Sequence, residues 1–155
     1  MKKALIIYAT RTQNTKGIAE LIAEGLRMSG VEAKLLNASD KEIEDLNFEE
    51  YDALVLGSAT YHGEMMQSMK TLLFKLEKDN LEGKVGGAFG AFGWSGEAPD
   101  RIFDTMANVF NMKMVRGTLR LKSPKLQEAT QMAREYGKEI AQKMNEQETN
   151  MTDPL

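Results

Sequence analysis

The chain has no cysteine, one histidine, one tryptophan and three prolines in 155 residues. Without cysteine there is no disulfide framework, no thiolate metal site and no thiol redox chemistry. A single imidazole, His62, excludes a cluster of histidine ligands. Positive charge is not in excess either: the net charge is −3, which disfavours a general nucleic-acid surface. No apolar run approaches the ~20 residues that cross a bilayer. Lys2 and Lys3 followed by apolar residues 4–8 resemble the start of a signal peptide, but the run is too short, and Arg11 closes it without a small-residue cleavage site. These absences lead us to expect a soluble cytoplasmic protein, with no membrane or nucleic-acid partner, and a monomer.

What is present is enough for one core. Apolar residues make up 42% of the chain, ordinary for a single domain of this length. Residues 4–8 are apolar on both faces, as a central parallel strand requires. Residues 14–28 carry Ile18, Leu21, Ile22 and Leu26 at helical spacing, stopped at Ser29-Gly30. Residues 32–36 read as a second strand nearer an edge, and 53–56 as a third. A helix from Met65 to about Lys78 carries Met66, Met69, Leu72, Leu73 and Leu76, methionines that suit core filling. Residues 84–89 form a fourth strand. A helix opens near Pro99, residues 112–121 hold the fifth strand, and the last helix runs from Pro124 to about Asn145. Residues 146–155 lack periodicity and read as a flexible tail, leaving 1–145 as the domain. Strands and helices alternate with short connections. That order specifies an α/β fold: a doubly wound, five-stranded parallel sheet in the order 2-1-3-4-5, with helices on both faces.

Three loops stand out in composition. The first is Thr10-Arg11-Thr12-Gln13-Asn14-Thr15, where a buried strand feeds a polar turn that opens a helix. Backbone N–H groups at a helix N-terminus lack partners, and the macrodipole makes that end positive, so anions bind there. Hydroxyls and carboxamides in the turn suit a phosphate monoester held by neutral donors; the simpler role for Thr12 or Asn14 is to cap the helix. No glycine lies between Tyr8 and Lys16, and no Walker-type glycine-lysine loop occurs, so the two familiar phosphate loops are absent. The second loop is Ser58-Ala59-Thr60-Tyr61-His62-Gly63, and the third is Ala91-Phe92-Gly93-Trp94-Ser95-Gly96. Each carries a large aromatic among small residues, suited to wall a slot for a flat ring. In a 2-1-3-4-5 sheet these loops emerge side by side at the carboxyl ends of the strands.

These motifs resemble the flavodoxin family. Its phosphate loop reads Thr/Ser-x-Thr-Gly-x-Thr; Thr10, Thr12 and Thr15 match it, and Gln13 stands where the family has glycine. The segment from Gly87 to Glu97 is similar to the flavodoxin-like domain of flavodiiron proteins, which carries Phe-Gly-Trp-Ser-Gly-Glu. Gly57-Ser58-Ala59-Thr60 resembles its Gly-Ser-Pro-Thr, with Ala59 replacing proline. The resemblance runs from Lys3 to about Asn145. It implies FMN, with the phosphate on Thr10, Arg11, Thr12, Gln13, Asn14 and Thr15. The ring would lie between Ser58–Gly63 and Ala91–Gly96, stacked by Trp94 and Tyr61, with Phe92 able to replace either. The di-iron domain needs several histidines, so we expect a free-standing flavodoxin-type protein.

The function this implies is electron transfer at low potential between redox proteins, with no catalytic residue. An acidic, apolar slot would make negative charge on the reduced ring costly. The alternative is an FMN-dependent NAD(P)H:quinone-type reductase. Tyr8-Ala9-Thr10-Arg11 with Thr15-Lys16-Gly17-Ile18-Ala19 also resembles bacterial protoporphyrinogen oxidases, but residues 113–122 leave no room for their long insertion. A response regulator would need an acidic pair after strand one and an aspartate ending strand three, and Tyr8-Ala9-Thr10 and Leu56-Gly57-Ser58 stand there instead. Residues 39–52 are strongly acidic, with a short helix expected; they are either a solvated face or a dock for a basic redox partner. His62 is either solvated or near enough to the ring to bias its protonation.

Overall fold

The computed structural model describes residues 2–92 and 96–152. Strand β1 (Lys3–Ala9) is buried along its length after Lys3, and it lies between two parallel neighbours. These are β2 (Glu32–Asn37) and β3 (Ala53–Ser58), so Ile6 faces Leu35 on one side and Val55 on the other. The strand beside β3 in space is not the next one in sequence. Between them the chain first makes a small antiparallel hairpin, β4 (Thr60–Tyr61) and β5 (Glu64–Met65), apart from the main sheet. The strand that pairs with β3 is β6 (Val85–Ala91). The expected 2-1-3-4-5 path is therefore present, with β6 as its fourth member.

Its fifth member differs from the expectation. Residues 112–121 do not form one strand but two short ones, β7 (Lys113–Met114) and β8 (Leu119–Leu121), both parallel to β6. The break falls at 115–118, where Gly117 takes a left-handed φ of 70°. Even-numbered residues of β6 turn their polar groups to this edge. The Val115 N–H donates to Gly86 O, and the Phe92 N–H donates to Leu121 O. Ala88 falls in the gap. The hydroxyl of buried Tyr136 fills it, accepting from the Ala88 N–H at 3.0 Å and lying 3.1 Å from both Ala88 O and Gly117 O. A side chain thus stands in for the missing strand residue, as a buried backbone pair requires.

The helices follow the apolar spacing. On one face lie α1 (Asn14–Met28) and α4 (Gln127–Thr152), over Ala4, Ile6, Val55 and Phe89. On the other lie α2 (Gln67–Leu76) and α3 (Glu97–Asn108), over Leu5, Ile7, Leu56 and Ala88. Alternate strand residues point to opposite faces, so each strand feeds two cores. Met65, expected to begin the second helix, instead pairs in the hairpin. The last helix continues past Asn145 to Thr152. The acidic stretch forms two 3-10 turns, Lys41–Asp45 and Phe48–Glu50, which bury Ile43 and Phe48 and leave the charges outside.

Helices α1 and α4 touch backbone to backbone. A Cβ on Gly137 would lie 2.2 Å from Ile22 O, and one on Gly25 would lie 2.1 Å from Arg134 O. Gly137→Ala gains about 1 kcal/mol of helix propensity but drives a methyl into a carbonyl, an overpacking of ~3 kcal/mol. We expect a net loss of about 2 kcal/mol in urea unfolding.

Candidate functional site

Register brings the three unusual loops together. Ala9 pairs with Ser58 and Gly57 with Phe89, so β1, β3 and β6 end level with one another. The Ala59 N–H donates to Ala9 O at 3.0 Å and ties the first loop to the second.

The first turn carries residues 10–13 into α1. Gln13 adopts φ 70° and ψ −3°, the left-handed conformation that glycine takes without penalty and other residues take at about 1 kcal/mol. Its carbonyl starts the helix by accepting from the Gly17 N–H. No side chain caps α1, so the capping role considered for Thr12 or Asn14 is not taken up. The end is left with unfilled N–H donors. Two hydroxyls add to them. Thr15 is completely buried, and neither its Oγ1 nor the buried Oγ1 of Thr10 has a partner. A buried hydroxyl without a partner costs about 1–3 kcal/mol. Two at one helix start form a cradle suited to an oxyanion.

The second loop is the hairpin, which sequence reading missed. His62 and Gly63 take φ of 52° and 76°, the two positive values a two-residue primed turn requires. Glycine after a polar residue between short alternating segments is the signal that was available. The hairpin is braced from below. Buried Ser58 donates from Oγ to Ala59 O at 2.8 Å and accepts from the Met66 N–H at 2.9 Å. Thr60 Oγ1 accepts from the Ala98 N–H at the start of α3. Glu64 pairs with Lys70 of α2 and lies 2.8 Å from Arg101 of α3. Lys70 beside it holds the Glu64 carboxyl below the usual carboxylate range.

In the third loop, Ala91 is buried, Phe92 is half-buried, and Gly96 lies against Phe92 and Arg120. Gly93, Trp94 and Ser95 lie outside the described residues, as does any stacking by Trp94.

The loops enclose a cavity of about 490 Å³ lined by Arg11, Thr12, Asn14, residues 59–63, Ala91 and Phe92. Thr10, Gln13, Thr15, Ser58 and Gly96 support it without lining it. Tyr61, 42% exposed, forms one wall. The Arg11 guanidinium lies 4.3 Å over its ring, and His62 meets the ring edge-on at 4.2 Å. Arg11 on Tyr61 is a contact that nothing in the linear order signalled. The electrostatics also depart from the acidic slot expected: among the described residues, the lining holds an arginine and a histidine and no carboxylate.

The acidic stretch is partly occupied by local structure. Asp40 accepts from the Asn37 N–H, Glu42 pairs with Lys34, Glu49 accepts from the Asn80 N–H, and Asp52 accepts from the Lys3 N–H. Glu44, Asp45 and Glu50 are exposed. Among the described residues no helix is long and apolar enough to cross a membrane, and no acidic or histidine cluster could hold a metal.

Comparison with known proteins agrees with this architecture. A flavodoxin family model matches residues 6–137. A flavodoxin from Clostridium beijerinckii is 33% identical over 137 residues, covering 88% of this chain and 97% of that protein. Among solved structures, a flavodoxin from the domain Archaea superimposes with a TM-score of 0.85 at 31% identity, over 92% of this chain and 99% of that one. The Flv1 flavodiiron core from Synechocystis gives 0.85 at 27% identity, over 94% of this chain and 36% of that one. The chain spans only 17% to 33% of the diflavin flavoproteins and the type A flavoprotein it also matches.

Proposed function

The chain belongs to the flavodoxin family, whose cofactor is FMN, and from that premise we propose that it carries electrons between redox proteins at low potential. The observation that supports this best is the pair of unpartnered, buried hydroxyls on Thr10 and Thr15 beside the open start of α1. They fit a phosphate monoester, because they supply donors where the fold supplies no acceptor. In this reading Thr10, Thr12, Asn14 and Thr15 hold the phosphate, and Gln13 shapes the backbone around it. Tyr61 and Phe92 bound the ring slot, joined by Gly63, Ala91 and Gly96, where the small residues admit a flat ring. FMN supplies the redox chemistry, accepting and releasing electrons singly or in pairs.

The chain's own part is to bind, orient and tune. The hairpin is fixed by Ser58, Thr60 and Glu64, so the ring wall is set in place before any ligand arrives. Apolar walls at Ala59, Ala91 and Phe92 make added negative charge costly and lower the potential. Partners reach the ring over the exposed Tyr61 and His62 rim. Glu44, Asp45 and Glu50 remain available to attract a basic partner, and partner reduction should then slow as salt rises. A rate that stays flat with ionic strength would remove that part of the reading.

The central test is an anaerobic reductive titration of the FMN-loaded protein. Two separate one-electron steps support the carrier. A single two-electron step, with steady NAD(P)H consumption in the presence of a quinone, supports a reductase. Failure to bind FMN at all overturns both.

A further inference from the structure

We propose that Arg11 is a potential-setting residue of the ring slot, favouring reduced over oxidised FMN through its positive charge. This rests on the FMN reading above.

Four observations carry it. The guanidinium lies 4.3 Å over the Tyr61 ring, so its charge is held at the slot wall. Arg11 lines the cavity, and among the described residues no carboxylate lines it with Arg11. Two carboxylates of the neighbouring elements are engaged elsewhere: Glu64 with Lys70 and Arg101, and Asp100 with Arg120 and Thr118. The phosphate cradle at Thr10 and Thr15 offers hydroxyl donors that Arg11 does not touch, because its guanidinium lies over Tyr61 instead.

Arginine stays protonated at any working pH, and its planar guanidinium stacks on an aromatic face; a lysine ammonium is drawn to the same face and carries the same charge. Oxidised FMN has a neutral ring, and reduction adds negative charge to it. A fixed cation at the wall therefore acts on one redox state and hardly on the other. Binding that discriminates between states shifts the equilibrium between them, whereas equal binding to both shifts nothing. Apolar walls push the potential down, and Arg11 limits how far.

The test compares dissociation constants of oxidised and dithionite-reduced FMN for the wild-type protein, Arg11→Met and Arg11→Lys. Arg11 is exposed, so thermal melts of the three proteins should coincide. We expect Arg11→Met to bind oxidised FMN within about threefold of wild type and reduced FMN about tenfold more weakly, a fall of about 30 mV in the two-electron midpoint. Arg11→Lys should keep most of the preference for reduced FMN. Equal weakening of both forms by Arg11→Met would overturn the proposal and leave Arg11 a brace for Tyr61. So would an Arg11→Lys protein that behaves like Arg11→Met. A wild-type protein that binds neither form would instead overturn the FMN reading itself.

Discussion

Thr15→Val should stabilise the ligand-free chain and weaken FMN binding at the same time. Threonine and valine have nearly the same shape and similar helix propensity, so the buried site at the start of α1 repacks without a void. What leaves is a hydroxyl that has no partner in the protein. Removing a buried, unsatisfied polar atom relieves about 1 kcal/mol or more. The melting temperature of the ligand-free protein should rise by a few degrees. A hydrogen bond to a charged group is worth about 1.5–3 kcal/mol, so FMN affinity should fall roughly 10- to 100-fold. Riboflavin, which has no phosphate, should lose little. Fluorescence titrations with both flavins separate the cases. If Thr15→Val weakened riboflavin as much as FMN, the hydroxyl would not be a phosphate ligand. If it destabilised the ligand-free chain, Thr15 would have a structural partner after all.

Tyr136→Phe should cost about 3 kcal/mol, a large share of the stability of a domain of this size. The ring stays and its packing against Gly87 is kept, so no cavity term enters. The loss is confined to one hydroxyl, which accepts from the Ala88 N–H and has two carbonyls within reach of its single proton. Phenylalanine leaves the Ala88 N–H and C=O facing the gap between β7 and β8 with nothing to bond. At 2–4 °C per kcal/mol, the melting temperature should drop by about 6–12 °C. Burial raises the Tyr136 pKa above its ordinary value near 10. The folded state therefore favours the neutral phenol. That contribution is complete below pH ~10 and is lost as pH rises further, because the unfolded chain ionises first. Wild type should thus lose stability in strong alkali more steeply than Tyr136→Phe does. Parallel slopes would show that the phenol is not protected from ionisation. A loss under about 1 kcal/mol near neutral pH would mean that water replaces the hydroxyl at Ala88.

The two changes act on different parts of the chain and differ in how visible they were beforehand. Thr15 was legible as a candidate site residue, because a hydroxyl at the mouth of a helix following a buried strand is a local pattern. Tyr136 was legible only as one more apolar position at helical spacing. Its hydroxyl bonds to Ala88, 48 residues away, and only after β6 and α4 have packed does that distance become a contact. The single fifth strand failed for the same reason. Residues 112–121 have strand-like composition throughout, and the break at Gly117 is tolerable only because a side chain from α4 repairs the ladder.

The sequence by itself determined the alternation of strands and helices, the two cores, and the gathering of three loops at one end of a parallel sheet. Those features follow from local periodicity and from chain order, which act before any distant residue arrives. Tertiary structure decided the pairing of the hairpin at 60–65, the left-handed turn at Gln13, the place of Arg11 on Tyr61 and the absence of a carboxylate among the described residues lining the slot. Each depends on which backbone conformations and rotamers the packed neighbours allow. Where a charged side chain comes to rest depends on which opposite charges are already taken. Glu64 and Asp100 are taken by other partners, and Arg11 lies against an aromatic ring beside the proposed cofactor site.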